Sequence, residues 1–157
     1  QQFLKSDKTV SHVAVMKPQK YPKLLLLSDA GVTIQPDLKT KLNLVQNLIG
    51  VSTSIGVESP RLAILSAVEV VYPTMPVTME AAILSKMAER GQIRGAFVDG
   101  PLSFDVAVDM FAAHAKGVKS RPSWPTSVKI GKNETAITAS EKNTAGPTSL
   151  SAPRRTS

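Results

Sequence analysis

Polar runs follow apolar strands at three places in this chain, and they carry most of the side chains able to do chemistry. Ser28-Asp29-Ala30-Gly31 closes the run Lys23 to Leu27, Ser66 to Glu69 close Arg61 to Ala67, and Asp99-Gly100-Pro101 follow Gly95 to Val98. In open α/β sheets, ligands bind in the crevice beyond the carboxyl ends of the strands. These runs are therefore expected to floor a small-molecule site. Gly100 permits close backbone approach and Pro101 fixes the turn. Ser103 and the helix start after it offer unpaired N–H groups to an anion. The competing reading is an ordinary strand-to-helix loop with a capping serine. Ser28 and Asp29 either line the same crevice or form a polar turn. Glu69 either orients a substrate or is a solvated loop acid.

Other chemistries are excluded more firmly. The chain has no cysteine, which removes disulfides, thiolate metal sites and a thiol nucleophile. His12 and His114 stand far apart, and no HExxH, GxSxG, GxGxxG or Walker loop occurs. His12, with Ser11, opens a strand. His114 lies near a helix C-terminus, where it complements the helix dipole.

The elements that must position these residues follow from periodicity. Ser11 to Met16 reads as a strand, joined by the turn PQKYP to the strand Lys23 to Leu27, as in a hairpin. Unbroken apolarity in the second strand predicts burial on both faces. Leu38, Leu42, Val45 and Leu48 or Ile49 form one stripe, predicting a helix from about Asp37 to Ser54. Thr78 is expected to cap a helix running to Arg90, with Met79, Ile83 and Met87 on its apolar face and Gly91 as its stop. A last helix is expected from Ser103, with Asp105 in its first turn, to Gly117. The order β-β-α-β-α-β-α predicts an α/β fold with a mixed, mostly parallel sheet and flanking helices.

At 157 residues, 42% hydrophobic and 20% charged, the chain suits one globular domain. The net charge of +7 is uneven, because residues 119–157 hold seven Lys or Arg against Glu134 and Glu141. That segment also has thirteen Ser or Thr and four Pro. It is expected to be an unstructured basic tail beyond a folded unit at 1–118. Trp124 is its only aromatic residue, so the charge does not read as a nucleic-acid surface. No apolar run approaches a membrane span of about 20 residues. The start QQFLKSDKTV has neither Met nor a signal-peptide core. A cytoplasmic protein is expected, beginning at an internal point of a longer one.

The runs SHVAVM, LLLLSDAGVTIQPDL, PRLAILSAVEVVYPTMPVT, MAERGQIRGAFVDGPLSFDVAV and AAHAKGV resemble, in that order, the phosphate acetyl/butyryltransferase family. The likeness runs from about Leu4 to Ser120. It implies part of an isocitrate/isopropylmalate dehydrogenase-like fold, a homodimer for the full-length protein, and partners that are acyl-CoA and phosphate rather than nucleic acid or membrane. It implies CoA as a substrate, with no bound cofactor and no metal. The implied reaction converts acyl-CoA and phosphate to acyl phosphate and CoA. Ser11, Ser28, Asp29, Glu69, Asp99, Gly100, Pro101 and Asp105 fall at family motif positions and are expected near the substrate. Lys5 stands where the family often has a basic residue, making it a phosphate-binding candidate. The family's C-terminal Ser-Arg motif is absent, so no catalytic base is assigned. The resemblance stops near Ser120, which reads as a central fragment with an unrelated tail from a disrupted reading frame or a broken gene. A catalytically inactive piece that keeps only packing or dimerisation surface is the alternative.

Overall fold

The computed structural model describes residues 9–19, 21, 23–29, 31–118, 130–131 and 134–140. In chain order these form β1 (Ala14–Met16), β2 (Leu24–Ser28), α1 (Leu38–Ser54), β3 (Arg61–Leu65), α2 (Pro76–Glu89), β4 (Phe97–Leu102), α3 (Phe104–Val108), α4 (Met110–Ala115), β5 (Ile130–Gly131) and β6 (Glu134–Ser140). The fold is α/β, as the pattern predicts.

The main sheet has the order β1-β2-β6-β3-β4, with β5 paired to β6. β1 and β2 form the expected antiparallel hairpin, with Ala14 opposite Leu27. β6 is antiparallel to both β2 and β3. Among the described strands only β3 and β4 pair in parallel. The sheet is therefore mixed, but not mostly parallel: a hairpin supplies one antiparallel neighbour and β6 supplies two more. β2, β3 and β4 nevertheless run the same way, so their carboxyl ends share one edge.

Alternation along β2 and β3 explains their unbroken apolarity. Leu26, Leu62 and Ile64 face one side and pack with Leu44, Val45 and Leu48 of α1 and Ala81 and Leu84 of α2. Leu25, Ala63 and Leu65 face the other side, against Leu102, Val106, Ala107 and Ala113. Each fully buried leucine contributes about 1.5–3 kcal/mol. Asp37 caps α1 by accepting from Thr40 N–H at 2.8 Å. The buried Lys41 of α1 reaches the Glu80 carboxylate, tying α1 to α2.

Several sequence expectations need correction. Thr78 lies inside α2, which starts at Pro76. Its buried hydroxyl donates to Met75 O at 2.8 Å and accepts from Tyr72 N–H at 2.8 Å. Proline is tolerated in the first helical turn, so the helix starts earlier than a Thr cap requires. The buried face of α2 is Thr78, Ala81 and Leu84, whereas Met79 and Ile83 are exposed. The last helix is two helices, broken at Asp109, whose carboxylate caps α4 through Phe111 N–H at 2.8 Å. Residues 130–131 and 134–140 are strands where composition predicts a disordered tail. Thr135, Ile137 and Thr138 are β-branched and suit a pleated ladder, a short run hidden by its Ser/Thr/Pro-rich surroundings. The remainder of 119–157 lies outside the described residues.

Candidate functional site

Asp99, Gly100 and Pro101 do not form a loop after β4; they lie within it. The pairing of Ala63 with Asp99 and of Leu65 with Leu102 leaves one extra residue on β4, a bulge at Gly100-Pro101. The Ser28–Asp29 and Gly100–Pro101 peptides are cis. Gly100 lies so close to β3 and α2 that an added Cβ would sit 2.7 Å from Ile64 O, 2.9 Å from Ile64 Cβ and 3.3 Å from Ala81 Cβ. The Asp99 carboxylate accepts from Gly100 N–H at 2.8 Å. The bulge aims Leu102 O at Ser66 N–H (2.8 Å), locking the two strand ends together.

Just beyond that lock, four side chains converge. Ser103, before α3, has its hydroxyl against the Glu69 carboxylate and 2.6 Å from Asp105 Oδ1. Lys116, after α4, donates to Glu69 Oε1 at 3.0 Å, to Ser103 Oγ at 3.0 Å and to Asp105 Oδ1 at 3.1 Å. Ser103 is buried, and the Lys116 and Asp105 side chains are 42% and 53% exposed, so the group opens to solvent on one side. Hydrogen bonds from Ser103 and then Lys116 hold the Asp105 carboxyl at about 2. Burial raises Glu69, but hydrogen bonds from Ser103 and Lys116 outweigh it and leave the carboxyl below its ordinary value. The same bonds, Asp105 first, push the Lys116 ammonium up. At neutral pH the group is thus two carboxylates around one cation, built for electrostatic positioning.

A second polar group sits at the carboxyl end of β2. Buried Asp29 accepts from four backbone N–H groups: His12 (3.3 Å), Gly31 (3.4 Å) and Val32 (3.2 Å) at Oδ1, and Thr33 (3.0 Å) at Oδ2. Burial raises this carboxyl, but the hydrogen bonds, led by Val32, leave it lowered. Asp29 therefore fastens β1 to the loop after β2. Ser11 lies beside it and accepts from Asn47 Nδ2 at 2.9 Å; Asn47 also donates to Thr9 O at 2.8 Å. Asn43, one turn earlier on α1, donates to Thr9 Oγ1 at 2.8 Å. The fully buried Ser28 hydroxyl has no partner among the described residues.

The nine candidates thus divide. Glu69 and Asp105 share Ser103 and Lys116 as partners, while Asp99, Gly100 and Pro101 shape the strand beneath them. Ser11, Ser28 and Asp29 gather at the β1–β2 end, separated from the β3 end by the width of β6, about 10 Å. Lys5 lies outside the described residues. Lys116, the hub, has no role in the sequence reading; its only signal is its place within AAHAKGV. Asn43 and Asn47 are likewise missed, although an i, i+4 pair of amides on one helix face is a legible pattern. Among the described residues, no group of His, Asp or Glu could hold a metal, and no helix is long and apolar enough to cross a membrane.

Ionised, hydrogen-bonded side chains thus gather at the carboxyl ends of same-direction strands in an α/β sheet. Residues 2–124 match the family model described as phosphate acetyl/butaryl transferase, and the chain belongs to that family. It is 50% identical over 115 residues to a phosphate butyryltransferase of Clostridium acetobutylicum, covering 73% of this chain and 38% of that protein. It is 45% identical over 117 residues to a phosphate acetyltransferase of Thermotoga maritima, covering 74% and 40%. A crystal structure of a branched-chain phosphotransacylase from Enterococcus faecalis superposes with a TM-score of 0.64 at 33% identity, over 75% of this chain and 42% of that one. The chain thus spans about two fifths of the length of the relatives it matches.

Proposed function

We propose that the protein to which this family region belongs moves an acyl group between CoA and phosphate: acyl-CoA + phosphate gives acyl phosphate + CoA. The observation that carries the reading is the family match across residues 2–124. In the direction of acyl-CoA synthesis, the CoA thiolate attacks the acyl phosphate carbonyl, the C–S bond forms, and the C–O bond to phosphate breaks. The proton leaves with the base that ionises the thiol. Glu69 and Asp105 are unsuited to that task, because carboxyls held below their ordinary values are poor bases at neutral pH. Their proposed part, with Lys5, Ser11, Ser28, Asp29, Asp99, Gly100 and Pro101, is to line and shape the substrate crevice.

The finer architecture is proposed to be isocitrate/isopropylmalate dehydrogenase-like and homodimeric in the longer, cytoplasmic protein. Phe104, Met110 and Phe111 stand exposed on α3 and α4, just before the family match ends. An apolar group of this kind supports a face covered by further protein. The test is phosphate-dependent release of CoA from acetyl-CoA and butyryl-CoA by the purified chain, with a full-length relative as control. Turnover supports the reading for this polypeptide. No turnover beside an active control overturns it for this chain and leaves the packing-only alternative.

A further inference from the structure

Lys41 is a buried cation with no part in the proposed reaction. It is 4% exposed, and among the described residues its ammonium has one partner, the Glu80 carboxylate. An ammonium has three N–H groups to donate, so two are spare. Ser28 is fully buried, and its hydroxyl has no partner among the described residues. The two belong to one place. Leu24 and Leu26 of β2 pack in one cluster with Leu44 and Val45 of α1, and alternation turns Ser28 to the same side. Ser28 lies two residues beyond Leu26, about 7 Å along the strand. Lys41 lies four residues before Val45, about 6 Å along the helix, and toward the same edge of the sheet, because α1 follows the carboxyl end of β2. α2 likewise follows the carboxyl end of β3, and the Lys41–Glu80 bond brings the first two turns of both helices together. Met75 gives α2 no side-chain cap, so no side chain there meets the positive end of that helix.

We propose that Lys41 and Ser28 form an oxyanion site beneath the first two turns of α1 and α2, with the Glu80 carboxylate as its resident stand-in. The ligand class is a small oxyanion such as inorganic phosphate. Spare ammonium donors, an unpartnered hydroxyl and a helix N-terminus all favour negative oxygen. The Glu80 side chain is 27% exposed where that of Lys41 is 5%, so the carboxylate sits on the solvent side and can swing out into water. An incoming oxyanion takes its place on Lys41 and reaches the Ser28 hydroxyl, which Glu80 does not. The other acids nearby in the chain have donors of their own: Asp29 accepts from the backbone N–H groups of Val32 and Thr33, and Asp37 from that of Thr40. The choice of phosphate rests on the reaction proposed above, whereas the site rests on burial and geometry.

Calorimetric titration of the full chain with inorganic phosphate, at constant ionic strength, tests the site without any need for turnover. Wild type is expected to bind one phosphate. Glu80→Gln is expected to bind it about tenfold more tightly, because a competing carboxylate is gone. Ser28→Ala is expected to weaken binding about tenfold, the worth of one hydrogen bond to a charged group. Its urea midpoint should equal or exceed that of wild type, since an unpaired buried hydroxyl is lost. Lys41→Met is expected to abolish binding. No binding by either wild type or Glu80→Gln overturns the proposal. Unchanged affinity in Ser28→Ala or Lys41→Met overturns it too, and Ser28→Ala decides if Lys41→Met does not fold. Phosphate bound here by a chain that releases no CoA supports the site and overturns the reaction for this polypeptide.

Discussion

Replacing Gly100 by alanine adds one methyl group where the structure leaves no room for it. The new Cβ would stand 2.7 Å from Ile64 O and 2.9 Å from Ile64 Cβ. Neither atom ends a flexible side chain. Both belong to β3, which is paired with β4 and β6 and cannot retreat without disturbing both ladders. Overpacking of this kind costs about 1–3 kcal/mol, and contact with main chain favours the upper half of that range. Gly50 offers the matched control: it lies within α1, exposed, with nothing within 4 Å of an added Cβ. Alanine there is expected to stabilise by about 0.5–1 kcal/mol, because glycine is a poor helix residue. One chemical change thus gives opposite signs at two positions. Urea unfolding of both variants, at fixed protein concentration, reads the difference. A Gly100→Ala midpoint equal to wild type, or shifts of the same sign in both variants, would refute the packing argument.

Three further expectations concern the polar groups. Ser103→Ala and Lys116→Met should each raise the Asp105 carboxyl, since hydrogen bonds from Ser103 and then Lys116 depress it; carbon-13 NMR titration of the carboxyls measures both, and an unmoved carboxyl in either variant would refute the assignment. Asp29, Glu69 and Asp105 are all lowered on folding, so their stabilisation is complete above their ordinary range and disappears as pH falls through their folded values. For Asp105 the fall from 3.8 to about 2 corresponds to about 2.4 kcal/mol, reduced by solvent screening to about 1 kcal/mol at a side chain 53% exposed. Unfolding free energy should therefore be flat from about pH 5 to about pH 9 and decline toward pH 2, with a shallower acid decline in Asp105→Asn. Asn47→Ala removes bonds to Thr9 O and Ser11 Oγ and should cost about 1–2 kcal/mol in the same urea assay.

Much of the frame is legible in the residues. Unbroken apolarity marks the two-faced strands, Leu38 to Leu48 mark α1, and Gly91 and Gly117 stop helices in left-handed conformations, with φ of 74° and 66°. Other features depend on partners distant in sequence. Whether Asp99-Gly100-Pro101 is loop or strand depends on Ile64, which presses on Gly100 from β3. Asp109 breaks a helical pattern because its carboxylate satisfies a nearby N–H better than it suits a helix interior. Met79 and Ile83 have the right spacing for a core face, yet Ala81 and Leu84 occupy it, since α2 packs close enough to β4 to admit only alanine beside Gly100. Lys116 reaches back thirteen positions to Ser103, and no periodicity encodes a contact of that span.

The bond from Lys116 to Ser103 also acts as a latch. α3 and α4 have five and six residues, far too short to stand alone in water. Ser103 precedes the first and Lys116 follows the second, so their contact shuts a loop around both helices. Closing a loop of this size costs about 2 kcal/mol of chain entropy, which the charged bonds to Glu69 and Asp105 help to offset. Drawing Lys116 away, by acid or by a competing anion, would release both helices together. The charge at the sheet edge and the folding of the segment above it are therefore one equilibrium.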